Sequence, residues 1–147
     1  MKLHLLSHRT MQRAGDSTRA ARVSVDFLVD GQSLLLALAR PVRGQPDFMG
    51  SLVAGFPDEN RRVAAWLTLK ASPETGSDGV LLYICPECGD IGCGAYSVQI
   101  TRTAEGYLWD RFAYENGLEP PVPARHVGPF LFEPAAYDAA IQQAMAV

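Results

Sequence analysis

Val23, Val25, Phe27 and Val29 alternate with Ser24 and Asp26, the two-residue period of a strand with one buried face. Asp30-Gly31 follows as a tight turn. Ser33 stands where it can cap a helix over Leu34–Arg40 that Pro41 ends. Leucine and alanine dominate that stretch and favour helix over a return strand of the hairpin. After Pro57-Asp58, Val63, Trp66 and Leu67 fall at helical spacing within Glu59–Lys70. Residues 71–79 are rich in Ser, Pro, Gly and Asp and read as a flexible loop, too short to separate two domains.

Val80–Ile84 is continuously apolar, as in a strand covered on both faces. Tyr96, Val98 and Ile100 then alternate with Ser97, Gln99 and Thr101. Thr103–Gly106 reads as a hairpin loop with its glycine in the left-handed position, and aromatic-rich Tyr107–Tyr114 as the return strand. On a regular strand Trp109 shares the face of Tyr107, and Phe112 lies opposite. Together these segments predict a three-stranded antiparallel meander around residues 80–114. Beyond a proline-bearing connection, Gly128–Phe132 reads as a further strand and Pro134 as the first position of a final helix. Tyr137, Ala140, Ile141, Ala144 and Met145 give that helix one apolar stripe. The expected fold is α+β: an antiparallel sheet flanked by a few helices, including a C-terminal one, in a single domain over residues 1–147.

Composition sharpens this in a few respects. With 48% hydrophobic and 20% charged residues among 147, the chain is an ordinary globule, and disorder, collagen-like repeats and coiled coils are excluded. The longest apolar run, Leu34–Ala39, falls far short of the ~20 residues of a membrane span, so no membrane partner is expected. A net charge of −3 argues against nucleic acid as a partner. The charge is uneven: residues 1–22 carry Lys2, Arg9, Arg13, Arg19 and Arg22 against Asp16 alone. A transit segment is one reading of that start, and an exposed loop ahead of the first strand is the favoured one. Leu3–Leu6, interrupted by His4, is too short for a secretory signal. Three cysteines within one nine-residue stretch make a poor disulfide framework, and a reducing, cytoplasmic location is expected.

Those cysteines carry the main chemical signal. Cys85-Pro86-Glu87-Cys88-Gly89 has the form C-P-x-C-G, a turn that can aim two thiolates at one ion, and Cys93 supplies a third. Zinc is the expected ion. Its fourth ligand is open among His126, His4, His8, Asp90, Glu87 and water, with His126 favoured because it lies in an irregular segment that can fold back. Thiol–disulfide exchange at Cys85 and Cys88 competes, although Gly89, Gly92 and Gly94 leave no room for the helix that would lower a thiol pKa. Two further readings are small apolar packing by the cysteines and an anion-binding nest over Gly89–Gly94, whose G-x-x-G-x-G order is not the dinucleotide fingerprint.

The run Tyr83–Ala95, with Trp109, Phe112–Asn116 and Gly128-Pro129-Phe130 downstream, resembles a family of uncharacterised bacterial proteins. The likeness covers roughly residues 80–145 and is most specific in its C-P-x-C-G-D-x-G-C-G-A loop. No established activity accompanies it. Members of that family vary at the first cysteine while keeping a C-G-[DE]-x-G-C core, so the resemblance implies a structural turn more than a three-cysteine zinc site.

No Walker loop, G-x-S-x-G elbow, H-E-x-x-H or EF-hand pattern occurs. Cys93 with His126 is a conceivable nucleophile pair, and Asp110, Glu115 and Glu119 are conceivable acid–base carboxylates, each more simply read as a solvated or packed residue. Arg61, Arg62 and Trp66 read as a solvated helix face before they read as a basic–aromatic patch. Two function classes remain. The favoured one is a small soluble binding or accessory protein, acting on an unknown protein partner or as a homodimer, with a structural cysteine–glycine loop that can hold zinc. The alternative is a thiol-dependent redox or transferase enzyme using the C-x-x-C pair or Cys93.

Overall fold

The computed structural model describes residues 1–42 and 47–147. Ten strands and three α-helices follow one another among them: β1 (Leu3–His4), β2 (Leu6–Arg13), β3 (Arg22–Val29), β4 (Gln32–Ser33), α1 (Leu34–Ala39), β5 (Met49–Gly50), α2 (Pro57–Leu67), β6 (Val80–Ile84), β7 (Ala95–Arg102), β8 (Tyr107–Glu115), β9 (Val122–Pro123), β10 (Phe130–Phe132) and α3 (Pro134–Met145). The expected meander is present as β6-β7-β8, at the centre of a larger sheet ordered β1-β10-β8-β7-β6-β5, with β9 pairing β8. A second sheet runs β2-β3-β4. Pairing is antiparallel except between β1 and β10.

The two sheets are stitched together, which curls the assembly into a half-barrel rather than a meander flanked by helices. Ser51 N–H donates to Leu82 O of the larger sheet, while Val25 N–H of the smaller one donates to Leu52 O, and Ala54 N–H returns a bond to Val23 O. Tyr83 adds a side-chain link, its hydroxyl donating to Asp26 Oδ1 at 2.5 Å. Inside the curl, Trp109 is fully buried, with Phe27, Phe112, Phe132 and Tyr137 edge-on around its ring at centroid distances of 5.2–6.4 Å. Helix α3 closes one end. Glu133 caps it by accepting from Ala135 and Ala136 N–H, and Tyr137 donates to Leu67 O at the end of α2 while accepting from Trp109 Nε1.

Several expectations are corrected. The basic start is a strand pair, not an exposed loop: β2 pairs with β3 in unbroken register from Leu6↔Val29 to Arg13↔Arg22. Its side chains are mostly polar because it is an edge strand, where charge discourages pairing with a second chain. Arg9 also neutralises the fully buried Asp26 at 2.9 Å. Gln32–Ser33 forms a brief return strand before Ser33 caps α1, so helix and hairpin readings each hold for part of the segment. Gly106 keeps the positive φ expected of it, at +156°, and a side chain there would also meet Phe132 O. Phe112 does not lie opposite Trp109. The β7–β8 register shifts between Ser97↔Ala113 and Gln99↔Asp110, inserting one extra residue at Arg111, whose φ is +49°. That bulge reverses the alternation and returns Phe112 to the core. The 71–79 loop is anchored to the sheet by Ser77 Oγ, which donates to Glu115.

Candidate metal centre

The loop between β6 and β7 carries all three thiols at one end of the sheet. Apolar Val80–Ile84 sits in the ladder, and Cys85 is the first residue past its end. Pro86 turns the chain, and Gly89 N–H donates back to Cys85 O at 2.8 Å. Asp90 then caps a single 3₁₀ turn, Ile91–Cys93, by accepting from Gly92 N–H. This turn swings Cys93 back over the first pair. Gly94 re-enters the sheet at φ +92°, and a Cβ there would stand 2.1 Å from Tyr114 Oη. Only glycine fits between that strand end and the tyrosine.

The outcome is a cluster in which the Sγ atoms of Cys85, Cys88 and Cys93 all lie within 4.8 Å of one another, with Cys88 and Cys93 at 3.2 Å. Sulfurs around a tetrahedral zinc with bonds of about 2.3 Å stand about 3.8 Å apart, so the present spacing needs only small rotations to close on an ion. Cys88 and Cys93 are exposed and Cys85 is partly covered. Burial works to raise the Cys85 pKa, but backbone N–H groups of Cys88 and Glu87 and the two neighbouring thiols donate to its sulfur and hold it below the usual thiol value. Cys93 is pushed the other way, to about 11, by the adjacent Cys88 and Cys85 sulfurs.

The turn is held from outside by two arginines at the paired ends of β2 and β3. Arg22 Nε donates to Pro86 O at 2.8 Å, and Arg13 Nη1 pairs with Glu87 at 2.9 Å while its Nε donates to Asp47. Sequence reasoning missed this clamp. Arg22 and Pro86 lie 64 residues apart, and no local pattern marks the pair.

The other candidates for a fourth ligand lie elsewhere. His126 is exposed, and its Nε2 is 2.9 Å from Ala37 O rather than beside the sulfurs. His4 Nδ1 bonds Asp30 at 2.6 Å. Glu87 turns to Arg13 and Ala20, and Asp90 is spent on its own turn. His8 lies on β2, opposite Phe27. Among the described residues the cluster therefore consists of three cysteines, two of them exposed. Arg61 and Arg62 are each paired one turn back, with Asp58 and Glu59, which makes that helix face a neutralised surface rather than a basic patch.

No family model, curated protein or solved structure matches the chain. No helix among the described residues is long and apolar enough to cross a membrane. What this arrangement offers chemically follows from its donor set. Three thiolates on one short loop select a soft or borderline divalent ion, and hard, oxygen-preferring cations such as magnesium or calcium are disfavoured.

Proposed function

We propose that this protein is a small binding module in which Cys85, Cys88 and Cys93 hold one zinc-class ion as thiolates, the fourth position being taken by water or by a side chain of a protein partner. The convergence of three sulfurs at one exposed sheet end carries this reading. Two features support it. The loop is braced on one side by Arg22 and Arg13 and on the other by Tyr114, which limits how far the thiols must move to meet an ion. With three sulfurs and no fourth ligating side chain grouped with them among the described residues, the cluster differs from a closed four-ligand structural site and suits an ion that completes its shell from outside the chain. A location in a reducing compartment and action on a protein partner belong to the same proposal, because thiolates are kept available there.

The test is metal content by elemental mass spectrometry on untagged, dialysed protein, with a thiol count under native conditions. About one zinc per chain, thiols that resist alkylation until unfolding, and loss of both in Cys88→Ser are the expected results. No metal after incubation with zinc, with thiols that alkylate as fast as free cysteine, overturns it.

A second reading has its own observation. The Cys88–Cys93 separation of 3.2 Å suits a reversible dithiol–disulfide couple. Reductant-sensitive loss of two thiols without bound metal would move the protein to that class.

A further inference from the structure

A second feature lies beside the β7–β8 bulge, where Phe112 and Val127 of the core reach the wall of a cavity. The β7–β8 bulge, the 121–129 connection and Ser77 line this half-open cavity of about 720 Å³, within the size range of small-molecule sites. Its residues are not those of the cysteine turn.

Two carboxylates line it. Glu115 is 4% exposed, and it accepts from Ser77 Oγ at 2.8 Å and from Ser97 Oγ. Among the described residues it makes no ion pair. A carboxylate withdrawn from water and met only by hydroxyls is costly unless something cationic comes to it. Asp110 presents the second. Its Oδ1 is shielded from solvent and has no hydrogen-bond partner, the nearest cation being Arg111 Nε at 3.8 Å. Arg111 itself holds a left-handed φ of +49° at the bulge, a conformation that costs a non-glycine residue energy and recurs where a strand re-aims side chains at a site.

The rest of the lining limits what can enter. Phe112, Val127 and Pro123 supply apolar wall, and Arg111 and Arg125 are exposed lining residues. A simple cation would meet repulsion from those arginines, and a simple anion would meet the carboxylates. A molecule with a cationic nitrogen at one end, an aliphatic stem and a carboxylate at the other meets all three. We infer that this cavity binds a basic amino acid, its guanidinium or ammonium group on Asp110 and Glu115, its stem along Phe112 and Val127, and its carboxylate on Arg111 or Arg125. The planar fork of a guanidinium matches a carboxylate in two parallel hydrogen bonds, and an ammonium serves as a point charge.

The probes are L-arginine and L-lysine, titrated calorimetrically into the full chain. L-citrulline, in which an uncharged urea replaces the guanidinium, and agmatine, which lacks the carboxylate, serve as the paired controls. The expected result is saturable binding of L-arginine or L-lysine with Kd below about 1 mM, and binding of each control weaker by about tenfold or more. Asp110→Asn, isosteric at a partly exposed position, should weaken binding about tenfold at an unchanged melting temperature, and Arg125→Ala should weaken L-arginine while leaving agmatine unaffected. Absence of saturable binding by both amino acids up to about 10 mM overturns the inference. Equal affinity for citrulline, or binding indifferent to Asp110→Asn, overturns it as well.

Discussion

Removing one hydroxyl tests how the half-barrel is held. Tyr83 is fully buried on β6, and its phenol bridges the two sheets: it donates to Asp26 Oδ1 at 2.5 Å and accepts from Phe27 N–H at 3.2 Å. Burial and the neighbouring Asp26 carboxylate push its pKa well above the ordinary tyrosine value, so the group stays a neutral donor. Tyr83→Phe deletes that donor and strands one backbone N–H. A hydrogen bond to a charged acceptor contributes about 1.5–3 kcal/mol, and an unsatisfied buried N–H costs about 1–3 kcal/mol. The two losses share atoms and are partly offset by relaxation, and Asp26 keeps Ser33 Oγ at 2.6 Å and Arg9 Nε at 2.9 Å. A net destabilisation of about 2–4 kcal/mol is expected. Urea unfolding followed by tryptophan fluorescence reads it, because Trp109 sits in the ring cluster that this seam encloses. An unchanged m-value would show that the loss is one of stability. In an Asp26→Asn background the same change should cost about 1 kcal/mol less, since the acceptor is then neutral. A loss below about 0.5 kcal/mol, or an identical loss in both backgrounds, would refute the assignment of this bond as a link between the sheets.

Two further outcomes follow from the structure. Gly94→Ala forces a side chain against Tyr114 Oη at a φ of +92°, so it should cost about 1–3 kcal/mol in thermal melts and lower zinc loading, with Tyr114→Phe restoring part of both. Acid should destabilise the fold in a defined window: Asp47 is held below its ordinary 3.8 by Arg13, Asp30 by Leu5 N–H and then His4, and Glu133 below its ordinary 4.5 by the N–H groups of Ala136 and Ala135. Depressed carboxylate values stabilise the folded state above the unfolded pKa and lose that contribution as pH falls through the folded one, so the melting temperature should drop progressively below about pH 4.5, and a melt unchanged down to about pH 3 would contradict these pairings.

The sequence was readable wherever one local pattern decided the structure. Alternation located β3 and β7, aromatic density located β8, Ser33 announced its cap, Pro134 announced α3, and the C-P-x-C-G run located the thiols. It was unreadable where a distant partner decided. The strand β2 is mostly polar and looks like a loop until β3 supplies its ladder and Asp26 its counter-charge. The bulge at Arg111 has no glycine to mark it, yet it turns Phe112 to the face of Trp109. The geometry of the thiol cluster was likewise set from afar, by an arginine 64 residues upstream of Pro86.

That same dependence ties the candidate centre to the fold. The cysteine loop has few apolar contacts of its own: Cys88, Gly92 and Cys93 are exposed, and none of the 3₁₀ turn is buried. A loop of this kind would sample many shapes if left free, and ordering its backbone costs about 1–2 kcal/mol per residue. Arg22 binding the Pro86 carbonyl, Glu87 joined to Arg13, and Gly94 seated on Tyr114 each remove part of that freedom through structure that the β2–β3 and β7–β8 pairs have already formed. Metal affinity should therefore track the integrity of the strands as much as the identity of the ligands. Arg22→Ala, which leaves every sulfur in place, should weaken zinc binding by loosening the turn, whereas a site made by the loop alone would bind zinc equally well without that arginine.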